Sequence, residues 1–193
     1  MNNASVRLLV IVGLLTLALA ALLRPATAKA EPTSTESTVA ATRIALIRQI
    51  DHFRNHTWRW QRLMDQRTTP TFFAERRSSD NDYRRWIRDL WQRRARAAAR
   101  QAANPPHRAG WLCIHRYEQH PAQGWATRTG NGYYGGLQMD ISFQRAYGPE
   151  LLRTKGTADR WTAYEQMWVA ERAYRSGRGY YPWPNTARSC GLI

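Results

Sequence analysis

Lysine is nearly missing from this chain: Lys29 and Lys155 are the only two, so arginine supplies almost all of the 29 basic residues. Acid is scarce too, at 14 residues, and the resulting net charge of +15 implies a polyanionic partner or surface. Cysteine is confined to Cys113 and Cys190, too few ligands for a cysteine-based metal site, and the five histidines are not spaced to complete one. No motif for an organic cofactor is present, so no cofactor is expected, and no internal repeat is apparent. A length of 193 residues leaves room for one domain with extensions but not for two large ones.

What the chain does have begins with an apolar run, RLLVIVGLLTLALAALL from Arg7 to Leu23, followed by Ala26-Thr27-Ala28 and Ala28-Lys29-Ala30. A positive start, an apolar stretch and small-x-small sites are the order of a secretory signal, so residues 1–30 are read as a signal peptide. An uncleaved anchor is the alternative, because the run approaches the length that spans a bilayer. Both readings put the rest of the chain outside the cytoplasm, secreted or associated with the wall. Thiols pair in that setting, and Cys113 and Cys190 are expected to form a disulfide, two buried free thiols being the other possibility. The polyanions met outside the cell are wall polymers and lipid headgroups, which fit an arginine-rich surface; nucleic acid is not expected, and no protein partner is inferable.

Residues 31–39 are small and polar and contain Pro32, as a flexible spacer would. Over residues 40–103 two apolar stripes recur at helical spacing, Ile44, Ile47, Ile50, Phe53, Trp60 and Met64, then Tyr83, Trp86, Ile87, Leu90 and Trp91. Thr68-Thr69-Pro70-Thr71 separates them and Asn104-Pro105-Pro106 ends the second, which predicts a basic helical hairpin with its aromatic stripes packed. The alternating aromatics and arginines of His56–Arg62 and Arg84–Arg88 also suit single-stranded nucleic acid, a use that the export signal opposes.

From Gly110 the composition turns to Gly, Tyr and Trp. Trp111 to about His120 is predicted helical, with Ile114 and His115 one turn before Glu118. A carboxyl shielded by such neighbours favours its neutral form, and can give its proton to a glycosidic oxygen as that oxygen leaves. Read alone, a glutamate at a helix end is more often a solvated surface residue. His115, Glu118 and His120 do not make a metal site, since the histidines stand five apart where a helical zinc motif needs four. The run Thr129-Gly-Asn-Gly-Tyr-Tyr-Gly-Gly-Leu-Gln138 predicts a β-hairpin or a cleft-lining loop. Asp140 to Tyr147 reads as a short helix stopped by Gly148, and Thr162-x-x-Glu165 as a capping box opening a longer helix to about Gly177. Glu165 and Glu171 are read as structural.

Taken together, Trp111, Glu118, the Thr129–Gln138 run, Glu165-Gln166, Val169–Arg172, Trp183-Pro184 and Cys190 resemble the catalytic domain of resuscitation-promoting factors, wall-lytic enzymes related in fold to lysozymes and soluble lytic transglycosylases. The resemblance covers residues 110–193 and says nothing of 40–103. It implies an α+β, predominantly helical, lysozyme-like domain that cleaves the β-1,4 bond between N-acetylmuramic acid and N-acetylglucosamine in peptidoglycan. Glu118 matches the single catalytic glutamate, seven residues after the matching tryptophan. Trp125, Thr129, Asn131, Tyr133, Tyr134, Gln138 and Ser142 fall where the glycan cleft is lined. Three departures stand out: Cys113 lies one helical turn before its usual place, Cys190 lies late, and residues are inserted around Pro121. The two cysteine displacements are expected to compensate. With no second carboxylate between Glu118 and Gln138, an internal sugar hydroxyl is the implied nucleophile, while Asp140 or Glu150 facing the cleft would instead allow hydrolysis. A module that binds wall glycan without cleaving it is the alternative.

Overall fold

The computed structural model describes residues 34–193; the apolar run and its small-x-small sites, read as a signal, lie outside the described residues. Residues 41–193 form one compact unit. Helix α1 (Ser34–Leu63) starts inside the stretch assigned to a spacer. After Pro32 nothing in Ser34–Ala40 breaks a helix, and Glu36 in the first turn complements its positive end. No helix among the described residues is long and apolar enough to cross a membrane.

The buried face of α1 runs through Leu46, Ile50, Thr57 and Leu63, while Ile44 and Ile47 are exposed. Helix α2 (Phe73–Arg77) is short, and α3 (Asn81–Ala102) begins at Asp80, whose side chain accepts the Asp82 N–H. The buried face of α3 is Arg84, Ile87, Trp91, Ala95, Ala98 and Ala102; Trp86 points outward. Ile50 clusters with Ile87 and Trp91, while Leu63, Met64, Ala98 and Ala102 gather around Trp168. The Ile50 end of α1 thus meets the early part of α3, and the last turns of both helices end together. The pair runs parallel, which corrects the expected hairpin.

Parallel packing requires a return path, and residues 64–80 provide it. Trp58 Nε1 donates to the Thr69 carbonyl, Gln61 bonds both the Thr69 N–H and its hydroxyl, and Trp91 Nε1 donates to buried Glu75. Seventeen residues separate the two helices, and when extended they outreach the roughly 33 Å length of α3.

The remaining elements form the C-terminal domain. Helix α4 (Arg108–Glu118) is followed by a 3-10 turn at Gly124–Ala126 and the two-residue strands β1 (Tyr133–Tyr134) and β2 (Met139–Asp140). The strands are antiparallel, with Tyr133 opposite Asp140 and Tyr134 opposite Met139. Then come α5 (Ile141–Tyr147), α6 (Pro149–Lys155), a 3-10 turn at Ala158–Arg160, α7 (Ala163–Ala173) and α8 (Pro184–Ser189). Asp140 caps α5, Gly148 ends it, and Thr162 with Glu165 forms a complete capping box on α7. The helix predicted to reach Gly177 stops at Ala173 and continues as a wider turn, Tyr174–Arg178, in which Gly177 takes φ 94°.

Helix α7 is the centre of this domain, buried along almost its whole length. Trp111, Ile114, Leu137, Phe143, Trp161 and Trp183 pack around it. Glu171, expected on a helix face, is fully buried there and holds the start of α4: Oε1 accepts Trp111 Nε1 at 2.7 Å and the His107 N–H at 2.8 Å, and Oε2 lies 3.1 Å from His107 Nδ1. Glu171→Gln keeps one acceptor oxygen in place of two. It is expected to cost about 1–3 kcal/mol, the penalty for a buried polar partner left unmade, read as a lower urea midpoint with unchanged m-value.

Candidate active-site groove

Three ties fix α4 against the rest of the domain. Its start is held by Glu171, its middle by the disulfide from Cys113 to Cys190, and its end by the Thr186 hydroxyl, which donates to Glu118 Oε1. The disulfide is the pairing expected for an exported chain, with Cα atoms 6.0 Å apart. Cys190 is the C-cap of α8 and Thr186 lies inside it, so bridge and hydroxyl join the same two helices one turn apart. Glu118 is the last residue of α4, two short of the predicted end, and is half-buried.

Glu118 opens into a groove of about 270 Å³ lined also by Asn131, Tyr133, Gln138, Trp183, Asn185 and Thr186. A second cavity of about 170 Å³ shares Tyr133, Gln138, Pro182 and Trp183 with it and extends to Asp140, Ser142 and Arg178. The two adjoin at these shared residues, with Glu118 and Thr186 lining the first and Asp140, Ser142 and Arg178 the second. Tyr133 projects from β1 with 46% of its surface exposed, enough to offer a ring face to a ligand. Gln138 takes φ 50°, an unusual conformation for a residue with a side chain, and its Nε2 donates to the Gly135 carbonyl at 2.8 Å. Trp183 Nε1 donates to the Leu137 carbonyl, which ties the groove wall to the β-hairpin.

The groove therefore brings together Glu118, Asn131, Tyr133, Gln138 and Ser142. Trp125, Thr129 and Tyr134 do not line it. The Trp125 ring stacks on His115 with centroids 3.8 Å apart, Thr129 sits exposed in the loop before β1, and Tyr134 packs on the domain core. Thr186, Asn185 and Arg178 line the groove without having been singled out from sequence. Glu118 and Thr186 are 68 positions apart, and no local pattern links them.

Of the two other carboxylates that sequence left open, Glu150 lines a separate cavity beside α1, and Asp140 lines the second of the adjoining cavities. Asp140 Oδ1 accepts the Phe143 N–H and the Ser142 hydroxyl, both at 2.7 Å. These bonds, the first above all, hold its carboxyl below the ordinary range. His115 donates from Nδ1 to the Gly136 carbonyl at 3.0 Å, and the His120 ring accepts the Ala122 N–H. No group of three or more metal-binding side chains occurs among the described residues.

Burial holds His115 below the usual histidine value, with the bond to Gly136 opposing it. His56 is lowered too, by burial and then by Arg59 and His52. Above about pH 6.5 these rings are neutral in both folded and unfolded chains and add no pH dependence. As pH falls below that value the unfolded chain takes up protons first, so stability declines. The melting temperature is expected to fall between pH 7 and pH 5, and to fall less in a His56→Gln, His115→Gln double variant; equal slopes would remove these rings as the cause.

Residues 110–186 match the family model of the transglycosylase-like domain. The chain is 44% identical over 68 residues to resuscitation-promoting factor Rpf1 of Corynebacterium glutamicum, a span that covers 35% of this chain and 34% of that protein. It is 41% identical over 64 residues to resuscitation-promoting factor RpfE of Mycobacterium tuberculosis, covering 33% of this chain and 34% of that one. The chain thus spans about a third of the length of these relatives.

Proposed function

We propose that this chain, whose residues 110–186 match the transglycosylase-like family model and fold as a predominantly helical, lysozyme-like α+β domain, cleaves peptidoglycan glycan strands at the N-acetylmuramic acid–N-acetylglucosamine bond, outside the cytoplasm, with Glu118 as its general acid. The carrying observation is the position of Glu118: one carboxyl at a helix end, held by Thr186, in a groove walled by Asn131, Tyr133 and Gln138.

In this reading Glu118 passes its proton to the glycosidic oxygen as the C–O bond breaks. An internal hydroxyl of the cationic sugar then attacks the anomeric carbon and returns its proton to Glu118, which closes the cycle and leaves an anhydro-sugar. The commitment of Asp140 to capping α5 favours that route over activation of water. Asn131, Tyr133, Gln138 and Ser142 bind the glycan. Residues 1–30 act as the export signal, residues 110–193 as the catalytic domain, and the arginine-rich segment 40–103 attaches the enzyme to anionic wall polymers.

Mass spectrometry of the soluble products from oxidised protein and purified peptidoglycan tests this. Anhydro-muropeptides are expected, and Asp140→Asn is expected to leave the product type unchanged. Reducing-end products lost in Asp140→Asn would mean hydrolysis with Asp140 as base. Absence of products would favour a module that binds the wall without cutting it.

A further inference from the structure

A cavity that involves none of the Glu118 groove residues is built differently. About 330 Å³ in volume, it is bounded by α1, α6 and α7 and lined by Asn55, Arg59, Arg62, Lys155 and Arg172 against the aliphatic walls of Leu63 and Leu151, with Glu150 and Glu165 also present. A neighbouring cavity of about 240 Å³ is lined by His52, Asn55, His56 and Arg59. Shared Asn55 and Arg59 join the two. His52, Asn55, His56, Arg59 and Arg62 therefore make a polar stripe at helical spacing along roughly 15 Å of α1.

The charges do not cancel. Lys155 Nζ contacts both oxygens of Glu165 at 2.7 Å, while Arg59 reaches the same carboxylate only at 3.4 Å. Arg172 directs its terminal nitrogens to the carbonyls of Tyr147, Arg62 and Leu63. The Arg62 side chain has no ion pair or hydrogen bond among the described residues. Arg59 and Arg62, one turn apart, are thus in excess over Glu150. Two charged donors one helical turn apart, continued along the helix by the polar side chains of Asn55, His56 and His52, match an anionic chain better than a single small ion.

We propose that this stripe of α1 is a docking track for a flexible phosphodiester polymer without bases, of the poly(glycerol phosphate) kind. Single-stranded nucleic acid fits less well because it needs aromatic faces on which bases stack. No indole lines either cavity, and the neighbouring Trp60 is engaged: its Nε1 donates to His56, and the Arg59 guanidinium covers its ring at 4.8 Å. The inference deepens the wall-attachment role proposed for residues 40–103 and is independent of Glu118.

Fluorescence titration of the full oxidised chain with poly(glycerol phosphate) of about ten units tests it, with ten-residue oligo-dT as the competing probe. The polymer is expected to bind more tightly than the oligonucleotide. Arg59→Ala with Arg62→Ala is expected to weaken polymer binding at least tenfold and to flatten the salt dependence by about one to one and a half in log–log slope. Arg62→Ala alone, which removes no hydrogen bond or ion pair among the described residues, is expected to weaken it severalfold with an unchanged melting temperature. Arg93→Ala with Arg96→Ala, the same charge change on the exposed side of α3, is expected to stay within twofold. Equal losses in both double variants, tighter binding of oligo-dT, or no polymer binding would each overturn the proposal. Glu118→Gln is expected to bind the polymer as the parent does, which keeps this result separate from the catalytic reading.

Discussion

Replacing Glu118 by Gln is expected to slow release of soluble peptidoglycan fragments by about 10²- to 10⁴-fold, the usual contribution of a positioned proton donor, while leaving the melting temperature within a degree or two. The two halves of that expectation come from different atoms. Glutamine retains an oxygen that accepts the Thr186 hydroxyl, so the tie between α4 and α8 survives. It lacks an acidic proton, so the leaving oxygen departs unprotonated. Because the substitution preserves shape, lost binding cannot account for a lower rate, and glycan affinity measured on the variant checks this directly. Unchanged activity would take Glu118 out of the mechanism.

Removing the disulfide, by Cys113→Ser with Cys190→Ser or by reduction, is expected to lower stability by about 4.5 kcal/mol. That is the chain-entropy value for a bridge spanning 77 positions. For a chain of this size it corresponds to a melting temperature lower by roughly 9–18 °C, readable by calorimetry. Activity is expected to fall faster with temperature than in the parent, because the bridge joins the helix that carries Glu118 to the helix that carries Thr186. Reduction that left both stability and activity unchanged would show that Glu171 and the domain core suffice to hold α4.

What sequence revealed about the fold was largely local. The capping box at Thr162 and Glu165, the stop at Gly148 and the break at Asn104-Pro105-Pro106 each rest on backbone preferences of a few neighbouring residues, and each is where the pattern put it. The faces of α1 were less legible. Ile44, Leu46, Ile47 and Ile50 fit more than one stripe, and only tertiary packing buries Leu46 and Ile50 over the other two, Ile50 against Ile87 and Trp91 of α3. The direction of α3 was missed for a reason visible in hindsight: antiparallel helices are usually joined by about 2–8 residues, and the intervening seventeen leave room for a return.

The site divides in the same way. Glu118, Asn131, Tyr133, Gln138 and Ser142 were identified through one long motif and its family resemblance, and the groove gathers them. Thr186 and Arg178 come from distant segments that only the tertiary fold brings there. Trp125 lies near the motif in sequence, yet its ring serves the loop by stacking on His115, and its carbonyl accepts the Gln166 amide. Glu171 was read as an ordinary helix-face residue because a buried carboxylate with three donors leaves no local signature.

The last turns of α1 and α3 depend on a helix made much later. Trp168 donates to the Ala102 carbonyl across 66 positions, and Arg172 donates to the Arg62 and Leu63 carbonyls across 110 and 109. A chain emerging N-terminus first presents both basic helices while their carbonyl ends still lack these donors. Those ends are completed only when Ala163–Ala173 arrives, so the segment with the highest positive charge waits longest for its final contacts and is most open to misassociation during synthesis.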